Sequence, residues 1–292
     1  MYGARLLIMR KSIATILLSS SLLLQLQAEL VRISVSDLLS DLITEPLQSS
    51  AVNDGLEFKI NGVGSMTALD RLRAGLADIA IVAIPDSDVL PLQEFTVEPF
   101  AYDSAIIGVH RDHPLNEVTL SQLGGIFGER ENYNYTTWDQ LDLPDWNQRG
   151  IKTMVSPDAS DISLELFKHS VLKVGELKTS VAVVAQAQLE ALIESDLNSI
   201  AVFSGWPQSP MIKALQVAAV AEAPAYGPTA SAIYYGDYPI RLPFYLVYRS
   251  NDVKKLSALI HILYGNEIAK LLEHNQLFSL PAGVRQGLLS EL

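Results

Sequence analysis

Asn61 to Val82 reads NGVGSMTALDRLRAGLADIAIV. Gly62 and Gly64 allow a tight turn, and Ser65 stands where a hydroxyl caps a helix. Met66, Leu69 and Leu72 recur at helical spacing and face a core, whereas Asp70, Arg71 and Arg73 stay in water. Gly75 closes the helix, and Asp78 introduces a short apolar run of strand type. Such a turn aims N–H groups and a hydroxyl at the space beyond the preceding strand. It is therefore either a change of direction or a cradle for an anion, with Gly64, Ser65 and Met66 as its candidate contacts.

The same alternation extends outward on both sides. LVRISVS (Leu30 to Ser36) reads as a strand, Asp37 to Leu47 as a helix, LEFKING (Leu56 to Gly62) as a strand, Ser65 to Ala74 as a helix and ADIAIVA (Ala77 to Ala83) as a strand. This β-α-β-α-β series predicts an α/β fold: a parallel sheet with helices on its faces and ligands beyond the carboxyl ends of its strands, where Ser36 lies. A second series begins with the strand SAIIGVH (Ser104 to His110) and the helix TLSQLGGIF, in which Thr119 caps and Gln122 reaches back. A polar, aromatic segment (Glu129 to Trp146) leads to the strand IKTMVS, helices over Ser160 to Leu172 and Val181 to Ser195, and the strand SIAVFS. After a Pro- and Gly-punctuated passage come the strand IRLPFYLVYRS, an Asp252-capped helix to Tyr264 and a helical Glu267 to His274.

Composition restricts the partners. In 292 residues, 49% are hydrophobic and 18% charged, as in a globular chain with a sizeable core. Acidic residues outnumber basic ones 33 to 21, for a net charge of −12. Residues 1–28 hold Arg5, Arg10 and Lys11 and no acid, so a chain without them carries −15. Such a body repels phosphate backbones and anionic lipid, which argues against nucleic acid or a membrane surface as partner. The basic start, the apolar run IATILLSSSLLLQL and the LQA ending at Ala28 read as a cleaved signal peptide, and the run is too short to span a membrane. Met9, followed by Arg10 and Lys11, makes a better start than Met1. Cysteine is absent, so neither disulfides nor a lipidated cysteine is available, and the product is expected in the periplasm as a freely soluble protein, read as a monomer.

Motifs for catalysis are missing. The chain has no G-x-S-x-G elbow, H-E-x-x-H pair, P-loop or CxxC, and its carboxylates offer no recognisable acid and base pair, so the reading is that it is not an enzyme and takes no cofactor. His110 and His113 in VHRDHP stand three apart, as metal ligands do, but a proline-terminated turn after a strand reads as a solvated turn, and no metal is expected.

GVGSMTALDRLRAGLADIAIV resembles the G-S-x-x-G, helix and aG-x-aDia segment of the phosphate-binding periplasmic proteins of ABC transport, in the type II solute-binding superfamily. The likeness continues in order. EPFAYDSAIIGVHRDHPLNEVTLSQLGGIFGERENYNYTTWDQL is similar to that family's passage from lobe one into lobe two, SIAVFSGW to its aIGyvs strand, and GDYPIRLPFYLVY to its YPlsRplyl strand. The resemblance implies a two-lobed fold, each lobe a sheet flanked by helices, joined by two crossover segments near Tyr102 to Ala105 and Tyr235 to Pro239. Lobe one is then 29–103 with 236–292, and lobe two is 104–235. Tyr238-Pro239 fits a rigid start to the returning strand.

It also implies a site. Ser65 falls on the family's helix-start serine, Ser36 where the first strand offers a small donor, and Ser160 on a serine of the second lobe's R-S-D-G-S-G-T loop, here SPDASDI. Val82 and Ala83 replace the family's serine and proton-accepting aspartate, Ser156 stands in place of its arginine, and Asp161 brings a negative charge to the helix start. A desolvated dianion needs a full set of donors, and a carboxylate at a helix N-terminus occupies the end of the dipole an anion would use. Weak phosphate binding is therefore expected, with better binding of any anion after Asp161→Gly. Two functions remain open: a solute-binding protein for ABC-type uptake, with an anion other than phosphate or a neutral or cationic guest, partnered by an ABC permease; or a divergent sensory module with a vestigial site, partnered by a membrane sensor.

Overall fold

The computed structural model describes residues 30–53, 56–85, 94–129, 133–146, 148–156, 162–173 and 175–292. The signal-peptide reading of residues 1–28 lies outside them. Strand β1 (Leu30–Ser36) leads into helix α1 (Asp37–Asn53), β2 (Glu57–Val63) into α2 (Ser65–Arg73), and then comes β3 (Ile79–Ala83). β1 pairs in parallel with both β2 and β3, as the alternation predicts. Both faces of β3 are covered. Ile79 and Ile81 point into the main core, while Ala80 and Val82 meet Ala68, Leu69 and Leu72 of α2. That is the period-2 alternation of a strand met by the i, i+3, i+4 stripe of a helix, and each leucine so buried contributes about 2 kcal/mol.

Helix α1 does not stop at Leu47, where the sequence reading ends it. Leu39, Ile43, Leu47 and Ala51 form one fully packed stripe, which carries the helix past Pro46 to Asn53. Gly62 is required by close approach: a Cβ there would lie 2.6 Å from Ser40 Oγ on α1. Asp78, just before β3, fastens this region. Arg32 donates Nε and Nη2 to its two oxygens at 3.0 and 2.8 Å, and Lys255 Nζ lies 3.2 Å away. Burial alone would raise the carboxyl's pKa, but the bonds from Arg32 and Lys255 outweigh it and hold the value at about 2.

Strand β4 (Phe95–His110) is sixteen residues long and starts nine residues before the strand read from the sequence. After it come β5 (Glu117–Thr119), α3 (Leu120–Phe127) with the expected Thr119/Gln122 capping box, β6 (Lys152–Val155) and α4 (Ser163–Phe167), which continues as a π-helix over Lys168–Leu172. The predicted helix over Val181 to Ser195 divides instead into β7 (Ala182–Val183) and α5 (Gln186–Ser195), because Ala182 and Val183 pair with Met154 and Val155 of β6. The rest is β8 (Ser199–Ser204), β9 (Ile212–Ala214), β10 (Gln216–Ala218), α6 (Ala230–Tyr235), β11 (Arg241–Arg249), α7 (Val253–Leu263), α8 (Asn266–His274), β12 (Phe278–Ser279) and α9 (Ala282–Ser290). Asp252 does hold the N-cap position of α7, but its side chain makes no cap bond, since a 3₁₀ turn over Ser250–Asp252 precedes the helix.

The sheet runs β2-β1-β3-β11-β4-β8-β6-β7. Its two halves meet within β4. Phe95 to Ser104 pair antiparallel with β11, and Ala105 to Val109 pair antiparallel with β8, so the strand changes partner between Ser104 and Ala105. The segment before β11 is bonded to this point: Ser104 Oγ donates to Ile240 O at 2.8 Å, and the hydroxyl of fully buried Tyr238 donates to Ala105 O at 2.9 Å. β11 then runs back along the first part of β4 from Arg241 opposite Ser104. Among the described residues no helix is long and apolar enough to cross a membrane.

Candidate functional site

The carboxyl ends of β1 and β3 and the amino ends of α1 and α2 fall at one edge of the sheet's first half, as a β-α-β series dictates. Ser36 is fully buried there, its hydroxyl 3.5 Å from Asp37 Oδ1. Gly64 is the N-cap of α2 with φ −59° and ψ 152°, so neither it nor Gly62 adopts the left-handed backbone that a glycine turn exploits. Ser65 does not cap the helix. Its Oγ instead accepts the backbone N–H of Ala83 at 3.0 Å, tying the start of α2 to the end of β3. Met66 is 61% exposed and not part of the core, because the buried stripe of α2 is Ala68, Leu69 and Leu72 and position 66 lies outside that arc. Ser65→Ala is expected to cost about 1–2 kcal/mol in a denaturant titration by leaving the Ala83 N–H without its acceptor, whereas Met66→Ala should cost less than about 0.5 kcal/mol.

On the other half, Ser160 and Asp161 lie outside the described residues. Ser156, at the end of β6, is 4% exposed, and among the described residues its hydroxyl has no hydrogen-bond partner. The first turn of α4 meets a carboxylate that sequence reasoning passed over. Asp103, 8% exposed on β4, accepts the Ser104 N–H at 2.6 Å and the Ser163 hydroxyl at 3.4 Å. An acid inside the run EPFAYDSAIIGVH was the available signal.

Between the halves lies a cavity of about 810 Å³. Leu38 and Pro85 line it from the first half, Ile162 and Leu166 from α4, and Pro239 and Leu242 from the segment leading into β11. Polar groups reach it as well: Glu165, His169, Ser170 and Lys173 from α4 and its π-helical continuation, and Arg241. Arg241 is held in place. Its Nη1 donates to the carbonyls of Ile233 and Tyr234 at the end of α6, and its guanidinium lies 5.1 Å from the Tyr102 ring centre. Gly236, at φ +81°, ends α6 in the left-handed conformation, and a Cβ there would come within 3.0 Å of Arg241 Nη2. A charged residue at the head of a Pro-flanked strand was the sequence signal for Arg241.

The histidine pair is not a solvated turn. His110 and His113 are both buried, at 6% and 1% exposure, and accept the N–H groups of Asp112 and Leu115 through Nδ1. The His113 ring sits 4.2 Å from Trp138 and 4.4 Å from Trp146, centre to centre. Burial, with Lys213 and His110 adding, pushes its pKa down to about 4. Among the described residues no group of three metal-ligating side chains occurs.

Residues 27–267 match the profile of the PBP superfamily domain. The phosphate-binding protein PstS of Pseudomonas aeruginosa is 23% identical over 276 residues, which cover 88% of this chain and 85% of that protein. PstS from Borrelia burgdorferi superposes with a TM-score of 0.69 at 18% identity, covering 87% of this chain and 99% of its own. An ABC-type phosphate transport receptor from Vibrio cholerae gives 0.60 at 20% identity, covering 86% and 100%. At these identities the structural likeness is one of fold.

Proposed function

Because the chain belongs to the PBP superfamily and has its two-lobed α/β fold, we propose that it is an exported solute-binding protein that captures a small solute between its lobes for an ABC-type permease. In this reading the lobes are 29–103 with 236–292, and 104–235, and the protein works in the periplasm once residues 1–28 are removed. The observation that carries it is the cavity, walled by Leu38 and Pro85 on one side, by Ile162 to Lys173 on the other, and closed behind by the segment entering β11. Its volume is that of a small-molecule site. A guest touching both walls favours the closed arrangement by its differential affinity for the two forms. The bonds joining Ser104 to Ile240 and Tyr238 to Ala105 fit a paired hinge.

Names in the family point to phosphate, and the residues of this chain do not favour it. Ala83 carries no carboxyl to accept the proton of hydrogen phosphate, and Ser156 offers one buried hydroxyl where a guanidinium would serve. The buried carboxyl of Asp103 already takes up the Ser163 hydroxyl in the first turn of α4. A less anionic guest follows from these three positions, and Ser36, Gly64, Ser65, Met66, Ser160 and Asp161 are the contacts we propose for it. Small-angle scattering tests the capture reading: a solute that raises the melting temperature should also lower the radius of gyration. Calorimetric binding with an unchanged radius would overturn cleft closure.

A further inference from the structure

We infer that the contact between Gly205 and Gln276 is a stop on the rotation of the lobes, set across β4 from the main cavity, and that the side chains at these two positions fix the balance between open and closed forms. This rests on the solute-capture reading and gives its motion a limit. At Ala101 and Tyr102, β4 pairs on one edge with Phe244 and Pro243 of β11 and on the other with Ser279 and Phe278 of β12. Arg241 and Leu242, at the head of β11, line the main cavity. The entry to β12 therefore lies along the opposite edge of the strand in which the halves meet. β8 ends at Ser204, paired with Ala105, and Gly205 follows it with φ +78°.

Each partner in the contact is fastened to its own half. Glu190 of α5 accepts the N–H groups of Gln208 and Ser209 at 2.8 and 3.0 Å, so the loop after β8 moves with the second half. Gln276 holds a left-handed backbone at φ +64° and donates its N–H to Glu273 O at 3.1 Å, while the N–H of Leu277 goes to the carbonyl of buried Leu272 on α8. A Cβ at Gly205 would lie 2.4 Å from Gln276 Oε1 and 2.6 Å from Gln276 Cβ. The first of these atoms ends a side chain that can turn away. The second is fixed to the backbone, so a methyl at 205 has to displace one half against the other. Beside the contact the two halves line a cavity of about 280 Å³, with Trp206 and Gln208 on one side and Gln276, Leu277 and Phe278 on the other, so the seam has room to widen or narrow. A rigid rotation that parts the halves at this edge of β4 brings them together at the other.

The chain has no cysteine, so Thr67→Cys and Val183→Cys can carry a pair of nitroxides. Both positions are exposed, one in the first turn of α2 and the other opposite Val155 at the end of β6, so each half carries one label near the carboxyl ends of its strands. Pulsed electron spin resonance then reads the distance between the halves. Gly205→Ala should shorten it by more than about 2 Å. Gln276→Gly, which suits a backbone at φ +64° and removes the atoms a methyl would meet, should lengthen it. With both changes the methyl has room, and the distance should return toward that of the labelled protein carrying neither. Unchanged distances in both single variants, or a shift of the same sign in both, would overturn the stop. If Gly205→Ala fails to fold at its left-handed position, Gln276→Gly decides, and no lengthening there overturns it. A panel of sugars, amino acids, amines and inorganic phosphate separates the stop from the capture reading. If a solute shortens the distance while the variants leave it unchanged, the stop falls and capture stands. If the variants shift it and no solute does, the stop stands and capture falls. If neither moves it, both fall.

Discussion

Titrated from pH 7 toward pH 4, the protein should lose about 3 kcal/mol of stability through His113 alone. Its ring is 1% exposed, wedged between Trp138 and Trp146, and accepts the Leu115 N–H at Nδ1, so the proton of the neutral ring is on Nε2. Protonating Nδ1 would break that bond and place a charge in an apolar slot near Lys213, whose Nζ bonds the His113 carbonyl. The folded ring therefore titrates at about 4 rather than 6.5. As pH falls through 6.5 the unfolded chain takes up a proton that the folded chain refuses. Stability drops until about pH 4, below which both forms are charged and this contribution stops changing. His113→Phe keeps a ring in the slot but cannot titrate: it should be less stable at pH 7, with Leu115 N–H unpaired, and show a flatter stability curve between pH 6.5 and 4. Asp78, held at about 2, acts in a separate window, its contribution lost as pH falls below about 3.8. Urea unfolding at a series of pH values reads both. A His113 ring that titrates near 6.5 by NMR in the folded protein would refute the assignment.

The strands β1, β3, β8 and β11 were legible because each is an apolar run closed by a turn residue, and period alone identifies such runs. β4 was not legible before Ser104, because Glu98, Pro99 and Asp103 look like interruptions. They are tolerated through partners remote in sequence: Glu98 accepts the hydroxyls of Tyr248 and Tyr264 at 3.0 and 3.4 Å, and Asp103 takes that of Ser163. The opening glycine and serine run was legible as a helix start, but the use of Ser65 was not, since its partner is a backbone N–H eighteen residues on. The cavity was still harder to see. It exists because α4, the segment after β3 and the head of β11 converge, and no local pattern reports that convergence. VHRDHP misled for the same reason: the residues that bury His113 come from Glu129 to Trp146, a segment that reads as polar.

Trp138→Ala should be among the costliest single changes in the chain, at about 3–5 kcal/mol. The indole is fully buried and bonded at both levels: its backbone N–H donates to Arg149 O at 3.0 Å and Nε1 to Asn198 O at 3.2 Å. Truncation removes a wall of the His113 slot, opens a large void beside Trp146, and takes from the Asn198 carbonyl the second of its two donors, leaving the Lys152 N–H at 2.9 Å. Trp138→Phe refills most of the space and forfeits only the Nε1 bond and the second ring, so its cost should stay near about 1–2 kcal/mol. The two variants part company in acid. With the wall gone, water reaches His113, its pKa returns toward 6.5, and the loss of stability between pH 6.5 and 4 shrinks in Trp138→Ala but persists in Trp138→Phe. The pair is coupled, so Trp138→Ala combined with His113→Phe should be less destabilising than the two single costs added. A Trp138→Ala protein that loses under about 1 kcal/mol, or one that keeps the full acid slope, would show that His113 is desolvated by something other than the indole packed against it.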